Sequence, residues 1–386
     1  MPRTPHVLLD ARFAARMRGG DRCCFELARQ VLVQSPAKVS ILGYAHAPVA
    51  LNLGTETAFV LAPFIPSQHP QADIFEHFTL ARRADRLGID VYHATFNVLP
   101  LRPMRQITVL TVHDMAVFDF PDGYGRKFAA MMRFLIKSGI RRANKVIAVS
   151  EATKRAILHH CPEAKTKITV ILNGVDERFL RIGQEPQAAV RGQFEHLSLP
   201  TPYVLFVGNL EPKKNLPRLI QAFMKARREH GLPHKLVIVG EKMSNGPDAR
   251  LPTLSREETD VVQFLGFVDD ADLPALYRLA DLVAYPSLYE GFGMPVLEGM
   301  AAGVPVLTSS VSSLPEVGGP SAMQVDPLDA EAMAAGIVRA LTDDTWRRYA
   351  GPAGHARAAQ MTWSRNARAT IDLYLDAFAN SSSNDR

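Results

Sequence analysis

Apolar positions along the 386-residue chain fall into short runs, separated by longer segments in which they recur every three or four residues. The runs at 7–9, 39–42, 91–93, 108–112, 145–149 and 168–171 have the length of strands, whereas 21–34 and 126–144 have the helical period. A second series follows a polar, proline-containing stretch at about 181–202, with strands at 203–207, 235–239, 261–265, 282–285 and 306–308 and helices at 215–229, 273–280 and 294–302. Strands alternating with helices make βαβ units and therefore parallel sheets. The pattern predicts an α/β protein of two Rossmann-like domains, residues 1–185 and 200–365. A helix at 366–380 returns to the first domain, and a polar tail at 381–386 frays. Such sheets bind ligands beyond the carboxyl ends of their strands, so two facing domains imply a cleft lined by those ends.

Composition narrows the class. A hydrophobic share of 47% with 22% charged residues is that of a globular protein, and no stretch has the run of apolar residues that a membrane span needs. The start carries Asp10 directly after Val7, Leu8 and Leu9, which makes a poor signal peptide and a good first strand. Of the three cysteines, Cys23 and Cys24 are adjacent and Cys161 stands apart; an odd number without metal-ligand spacing argues against a disulfide framework and for a reducing cytoplasm. The net charge of +5 is unevenly shared: residues 1–180 hold 24 Lys and Arg against 15 Asp and Glu, the remainder 20 against 24. A basic first half suits an anionic partner or surface, or is simply a solvated face.

The strongest chemical signal runs from Tyr285 to Thr308. A strand ends near Pro286, a loop carries Glu290, and Gly291 and Gly293 flank Phe292 ahead of a helix that starts at Met294 and contains Glu298. Glycines let the backbone approach a ligand, and a helix start offers amides and a positive dipole end to an anion. A carboxylate beside a phosphate site calls for hydroxyls to grip, and a ribose diol meets that need. Gly208, at the end of the strand 203–207, is followed by Lys213 and Lys214, cations next to another helix start that suit a diphosphate. Asp270 and Asp272 have the spacing of a metal-binding pair, but their place before a helix fits capping better. His113 and His93 each end a strand; Asp114 follows His113 and is placed to cap or orient it.

The segment from Glu290 to Glu298 closely resembles the Glu-x₇-Glu signature of retaining glycosyltransferase family 4, whose fold is GT-B: two Rossmann-like domains about a cleft. The resemblance extends from about Leu8 to Tyr374 and is most specific at 203–216 and 264–319. It implies that Glu298 holds the donor ribose, that Glu290 contacts the transferred sugar, and that Lys214 binds the diphosphate. Asn209 departs from the family, in which many members carry Arg directly after the glycine, so one phosphate contact is missing unless Lys213 supplies it. Backbone atoms at Phe267 and Val268 would meet the base. Gly19 and Gly20 correspond to the family's glycine-rich first loop, which approaches the donor, although a plain turn reads equally from the pair alone. His113 corresponds to the histidine that reaches the donor sugar from the first domain.

The resemblance further implies metal-independent transfer of a hexose with retention, from a nucleoside diphosphate sugar to a glycan or lipid-linked acceptor in polysaccharide assembly. GDP-mannose is the favoured donor, UDP-glucose its rival, and no cofactor or nucleic-acid partner is implied. Two other classes share parts of the pattern: a sugar-nucleotide hydrolase or epimerase on the same fold, and a non-catalytic sugar-binding protein. The helix at 126–144 sets Phe128, Met131, Met132, Leu135 and Ile136 against Arg126, Arg133, Lys137 and Arg141. That is either core packing with a solvated face or a peripheral contact with anionic lipid at the inner face of a membrane.

Overall fold

Each strand-length apolar run of the first half becomes a strand of one sheet. In a computed structural model that describes residues 3–12, 20–43, 58–61, 75–197, 199–241 and 254–384, these are β1 (His6–Asp10), β2 (Lys38–Gly43), β4 (Val91–Ala94), β5 (Ile107–Val112), β6 (Lys145–Ala148) and β7 (Ile168–Val170). One more strand, β3 (Ala58–Leu61), completes the seven-stranded sheet of order β3-β2-β1-β4-β5-β6-β7. Every pairing is parallel. The second half forms β8 (Tyr203–Val207), β9 (Lys235–Val239), β10 (Val262–Gly266), β11 (Leu282–Tyr285), β12 (Val306–Ser309) and β13 (Met323–Val325), in the order β10-β9-β8-β11-β12-β13 and again all parallel. Neither β3 nor β13 was among the predicted strands: β3 is a four-residue apolar run that the prediction omits, and β13 is three residues with Gln324 at its centre.

The chain divides into two units, one comprising 1–118, 127–174 and 363–386, the other 119–126 and 175–362. The division at Gly174 and Val175 lies upstream of the polar stretch at 181–202. That stretch is itself largely helical, through Glu177–Gly183 and Gln187–Gln193. The last helix, Trp363–Asn384, belongs to the first unit and packs on the helix Gly20–Gln34. Trp363, Ala367, Ile371 and Tyr374 recur at helical spacing and are buried, which accounts for the docking.

In each sheet the strand order reverses beside a central strand, between β1 and β4 and between β8 and β11. Crevices at such switch points are where doubly wound sheets take ligands. Beside the second switch point, the ends of β8 and β9 meet in a backbone contact that only glycine permits. Gly240 follows β9 with φ of 141°, and a β-carbon there would press into the Gly208 carbonyl oxygen. At Gly208 itself an added β-carbon would meet nothing nearer than Tyr285 Cε2 at 3.5 Å. Gly240→Ala is expected to lower stability by about 1–3 kcal/mol, and Gly208→Ala by less, in denaturant unfolding; equal losses would contradict this packing.

Candidate active site

The second unit carries the denser chemistry. After β8 the chain passes Gly208, makes the single 3-10 turn Pro212–Lys214, and enters the helix Leu216–His230 through Asn215, which is left-handed at φ 60°. The Asn215 amide is buried, and its Nδ2 donates to the carbonyls of Pro286 (3.0 Å) and Pro327 (2.7 Å). The turn is thereby tied to the loop after β11. The same loop is held again where Leu288 N donates to the Lys213 carbonyl (2.7 Å), an oxygen that Ser287 Oγ also approaches at 2.8 Å.

These ties bring Lys214 to Glu290. Lys214 Nζ lies 2.6 Å from Glu290 Oε1, with the two side chains 12% and 11% exposed. Tyr285 Oη (2.7 Å) and Ser287 Oγ (2.8 Å) donate to the same oxygen. Lys214 also donates to Tyr285 Oη at 2.7 Å. Burial pushes the Glu290 carboxyl up, but Lys214 and Lys213 and the hydrogen bonds from Lys214 and Tyr285 outweigh it, so it lies below its ordinary range and is a carboxylate. Burial first, then the Glu290 charge, raises Tyr285 far above its ordinary value, so it remains a phenol and a donor. Three donors on Oε1 fix the carboxylate, while Oε2 has no protein hydrogen-bond partner among the described residues. An acceptor oxygen fixed in this way suits a sugar hydroxyl.

The main chain around Glu290 is clamped as well. Ser312 Oγ accepts from the Glu290 amide (3.1 Å) and donates to its carbonyl, and Ser313 Oγ reaches the carbonyls of Glu290 (3.0 Å) and Phe292 (2.8 Å). Gly291 and Phe292 are buried in this turn. Gly293 follows with φ of 109° as the N-cap of the helix Met294–Ala301, where a β-carbon would run into Leu314 Cδ2. Glycine is required there by both backbone and space. Glu298 sits inside that helix, 5% exposed, and accepts from Tyr277 Oη at 2.8 Å. Lys213 Nζ stands 3.8 Å from Glu211, and the main structural part of that residue is its carbonyl. Phe267 is 52% exposed and Val268 half-buried just after β10.

Two expectations need correction. Asp270 does not cap a helix: it receives Arg178 Nη2 at 2.5 Å, and the same guanidinium binds Asp176. Asp272 occupies the N-cap position of Leu273–Leu279 but makes no side-chain cap bond, its carboxylate facing His196 at 3.3 Å instead. Among the described residues no cluster of His, Cys, Asp and Glu could hold a metal ion.

In the first unit, His113 follows β5, half-buried beside Phe96 with ring centroids 5.1 Å apart. Its Nε2 lies 2.8 Å from the Thr95 carbonyl, which can only accept, so Nε2 carries the proton and Nδ1 is the acceptor of the neutral ring. Burial lowers its pKa against the opposing pull of Thr95 and Asp114, which favours that neutral form. Asp114 Oδ1 accepts from Ala116 N (2.9 Å) and so caps the short helix Ala116–Asp119. His93 proves to be an interior strut. It is fully buried and bridges Tyr374 Oη (2.5 Å) and Thr111 Oγ1 (2.7 Å), and burial drives its pKa to about 3. Gly20 opens the helix Gly20–Gln34, and Gly19 lies outside the described residues. All three cysteines are buried free thiols.

One charged cluster had no sequence signal. At the end of β1, Arg12 is buried and donates to both carboxylate oxygens of Asp10 (2.9 Å from Nε, 2.6 Å from Nη2) and to Glu76 (3.0 Å). Tyr92 Oη completes the set on Asp10 at 2.8 Å. Asp10 and Arg12 are neighbours, but Glu76 and Tyr92 come from distant parts of the chain, so only the fold assembles the set.

Comparison with known proteins decides the family. The model described as "Glycosyltransferase Family 4" matches residues 17–179, and that described as "Glycosyl transferases group 1" matches 193–357. The O-antigen chain mannosyltransferase B of Escherichia coli is 33% identical over 294 residues, 74% of each chain. The chain is a family 4 glycosyltransferase. Solved structures agree on the GT-B fold of this glycosyltransferase. A sucrose-phosphate synthase from Thermosynechococcus elongatus superposes with a TM-score of 0.77 at 23% identity, covering 98% of this chain and 100% of that one. Anabaena HepE in complex with UDP-glucose does so with 0.72 at 19% identity, over 97% and 100%. No helix among the described residues of this glycosyltransferase is long and apolar enough to cross a membrane.

Proposed function

We propose that this glycosyltransferase moves mannose, with retention of configuration, from GDP-mannose to a glycan or lipid-linked acceptor in polysaccharide assembly. The observation that carries the reading is the fixed Glu290 carboxylate. Lys214 lies on one of its oxygens, the other has no protein partner among the described residues, and the group stands after β11 beside the helix that contains Glu298. Lys214 and the amides at the start of Met294–Ala301 stabilise the departing diphosphate, the charge that develops as the sugar–phosphate bond breaks. Glu290 Oε2 accepts from a sugar hydroxyl, Glu298 takes the ribose, and main chain at Phe267 and Val268 meets the base. His113, neutral and protonated on Nε2, contributes Nδ1 as an acceptor for the donor sugar.

A carboxylate held by three donors and kept below its ordinary pKa is a poor covalent nucleophile. This supports same-face displacement, in which the acceptor oxygen attacks the anomeric carbon while the leaving phosphate takes its proton. Mannose is favoured by the Escherichia coli relative, whose name is that of a mannosyltransferase. UDP-glucose is the rival donor, since HepE carries it. The helix Arg126–Arg142 leaves Phe128, Met131 and Phe134 exposed among basic residues, which supports a peripheral contact with an anionic membrane on its cytoplasmic side.

A thermal-shift series with GDP, UDP and ADP tests the donor, because a ligand that binds only the folded state raises apparent stability. The largest upward shift is expected with GDP. A larger shift with UDP would move the donor to a UDP-sugar, and no shift with any of the three would sink the assignment. Glu298→Gln is expected to raise the donor KM by about tenfold with a smaller change in kcat, the signature of lost ground-state binding.

A further inference from the structure

The turn after β10 has little packing of its own. From Gln263 to Leu273 no residue is buried, and Phe267 is 52% exposed. A segment without burial depends on its polar contacts. The main-chain bonds inside the turn are local, with Asp272 N (3.0 Å) and Leu273 N (3.2 Å) both reaching the Asp269 carbonyl. A stronger tie comes from a side chain distant in sequence. Arg178 Nη2 donates to Asp270 Oδ2 at 2.5 Å and Nη1 to the Asp270 carbonyl at 3.1 Å, so one guanidinium grips side chain and main chain together. The guanidinium is aimed from behind. Its Nε donates to Asp176 Oδ2 at 2.9 Å, and Asp176 also caps the helix Glu177–Gly183 by accepting from Arg178 N at 2.9 Å. Phe179 in that helix is fully buried, its ring edge-on to that of Tyr277 at 5.5 Å, so Arg178 stands on a fixed support. The helix that follows the turn does not use Asp270, since its N-cap position falls to Asp272. The clamp therefore acts on the turn itself.

We infer that Arg178 is a positioning residue for selection of the nucleotide base: through Asp270 it holds the main chain at Phe267 and Val268 in the geometry that meets the base. The inference rests on the reading that this main chain is the base contact. A turn ordered beforehand binds without a further loss of backbone freedom, whereas each residue left to be fixed on binding weakens affinity by roughly tenfold. Main-chain donors and acceptors discriminate between bases only while their directions are fixed, so a loosened turn loses selectivity as well as affinity.

Calorimetric titration of the full chain with GDP, UDP and inorganic diphosphate reads the contribution of the base. Arg178→Gln and Asp270→Ala are each expected to weaken the preferred nucleotide by about tenfold and to narrow the GDP-to-UDP ratio, while inorganic diphosphate changes by no more than about twofold. The double variant should lose no more than the larger single loss, because both substitutions act through one contact. Asp269→Ala removes the neighbouring exposed acid of the same turn and is expected to stay within about twofold. A purely structural role would weaken all three ligands together. Such a uniform loss, an unchanged GDP-to-UDP ratio, or an equal loss in Asp269→Ala overturns the inference. If Arg178→Gln unfolds by leaving Asp176 without its partner, Asp270→Ala decides, since it keeps the Asp176 pair. Amide exchange over residues 263–273 of the wild type tests the underlying reading separately: the preferred nucleotide, but not inorganic diphosphate, should protect the turn. Absence of that protection sinks the base contact and the inference with it, whereas protection with an unchanged ratio in both variants sinks the inference alone.

Discussion

Lys214→Ala is expected to cut turnover by about 10²–10³, the scale for losing one charged contact to a developing anion. The substitution removes two things at once. It takes away the cation proposed for the leaving diphosphate, and it strips the nearest counter-charge from a Glu290 carboxylate whose side chain is only 11% exposed. With Lys214 gone, burial becomes the dominant influence on Glu290. Its pKa rises, and the acid limb of the rate profile is expected to move upward in pH. Breaking a buried pair by deleting one partner also costs about 3–5 kcal/mol of stability when the remaining charge is left alone. Tyr285 and Ser287 still donate to Oε1, so the loss should be at the lower end of that range.

Lys214→Ala combined with Glu290→Gln separates the two effects. Stability should return toward that of Glu290→Gln alone, while turnover stays low because the cation is still missing. Steady-state kinetics at saturating donor and a denaturant series on the same preparations make the comparison. Turnover within about threefold of wild type in the single variant would remove Lys214 from the catalytic assignment.

The second large effect is on stability in acid. In the fold, His93 is held neutral with a pKa of about 3, chiefly by burial, although Asp10 pulls the other way. In the unfolded chain it titrates near 6.5. Above pH 6.5 neither state carries the proton and His93 adds no pH dependence. Between 6.5 and 3 the unfolded chain binds a proton that the native state refuses, so stability is lost progressively as pH falls through that window. The shift corresponds to up to about 4–5 kcal/mol by pH 3. His113, also lowered by burial, adds in the same direction.

His93→Gln should start less stable at neutral pH, since one of two buried hydrogen bonds is compromised, and then fall less steeply from pH 6.5 to 4. The chain has two tryptophans, of which Trp363 lies in the first unit with His93. Urea unfolding followed by Trp363 fluorescence in a Trp346→Phe background therefore reads the relevant unit and avoids averaging over both. An unchanged slope in His93→Gln would mean that other groups carry the acid sensitivity.

The two kinds of residue differ in how they could be read beforehand. The parallel-sheet architecture was legible because buried strands are written as near-continuous apolar runs. The runs at 203–207 and 235–239 became β8 and β9 without change of bounds. β13 escaped notice because Met323, Gln324 and Val325 are too short a run to stand out, and its pairing with β12 is decided by the sheet already present. Glu290, Gly293 and Glu298 were legible because a loop, a glycine and a helix start lie within nine residues of chain. Their supports were not. Asn215, Tyr277, Ser312 and Ser313 lie elsewhere in the sequence and look like ordinary polar or aromatic positions there. Histidine shows the limit most clearly. His93 and His113 both end strands and looked alike, yet one bridges two hydroxyls inside the core and the other is half-buried beside Phe96.

By itself the sequence determined an α/β protein with two parallel sheets and a family 4 glycosyltransferase signature, since periodicity and short motifs depend only on neighbouring residues. The tertiary structure alone decided which oxygen of Glu290 is occupied, which histidine is interior, and that Asp10, Arg12, Glu76 and Tyr92 share one buried network. It also decided that Arg133 and Lys137 of that basic helix close on Phe118 rather than point singly into solvent. Those properties arise from contacts between residues distant in the chain, where burial and the charge of a partner set what each side chain can do.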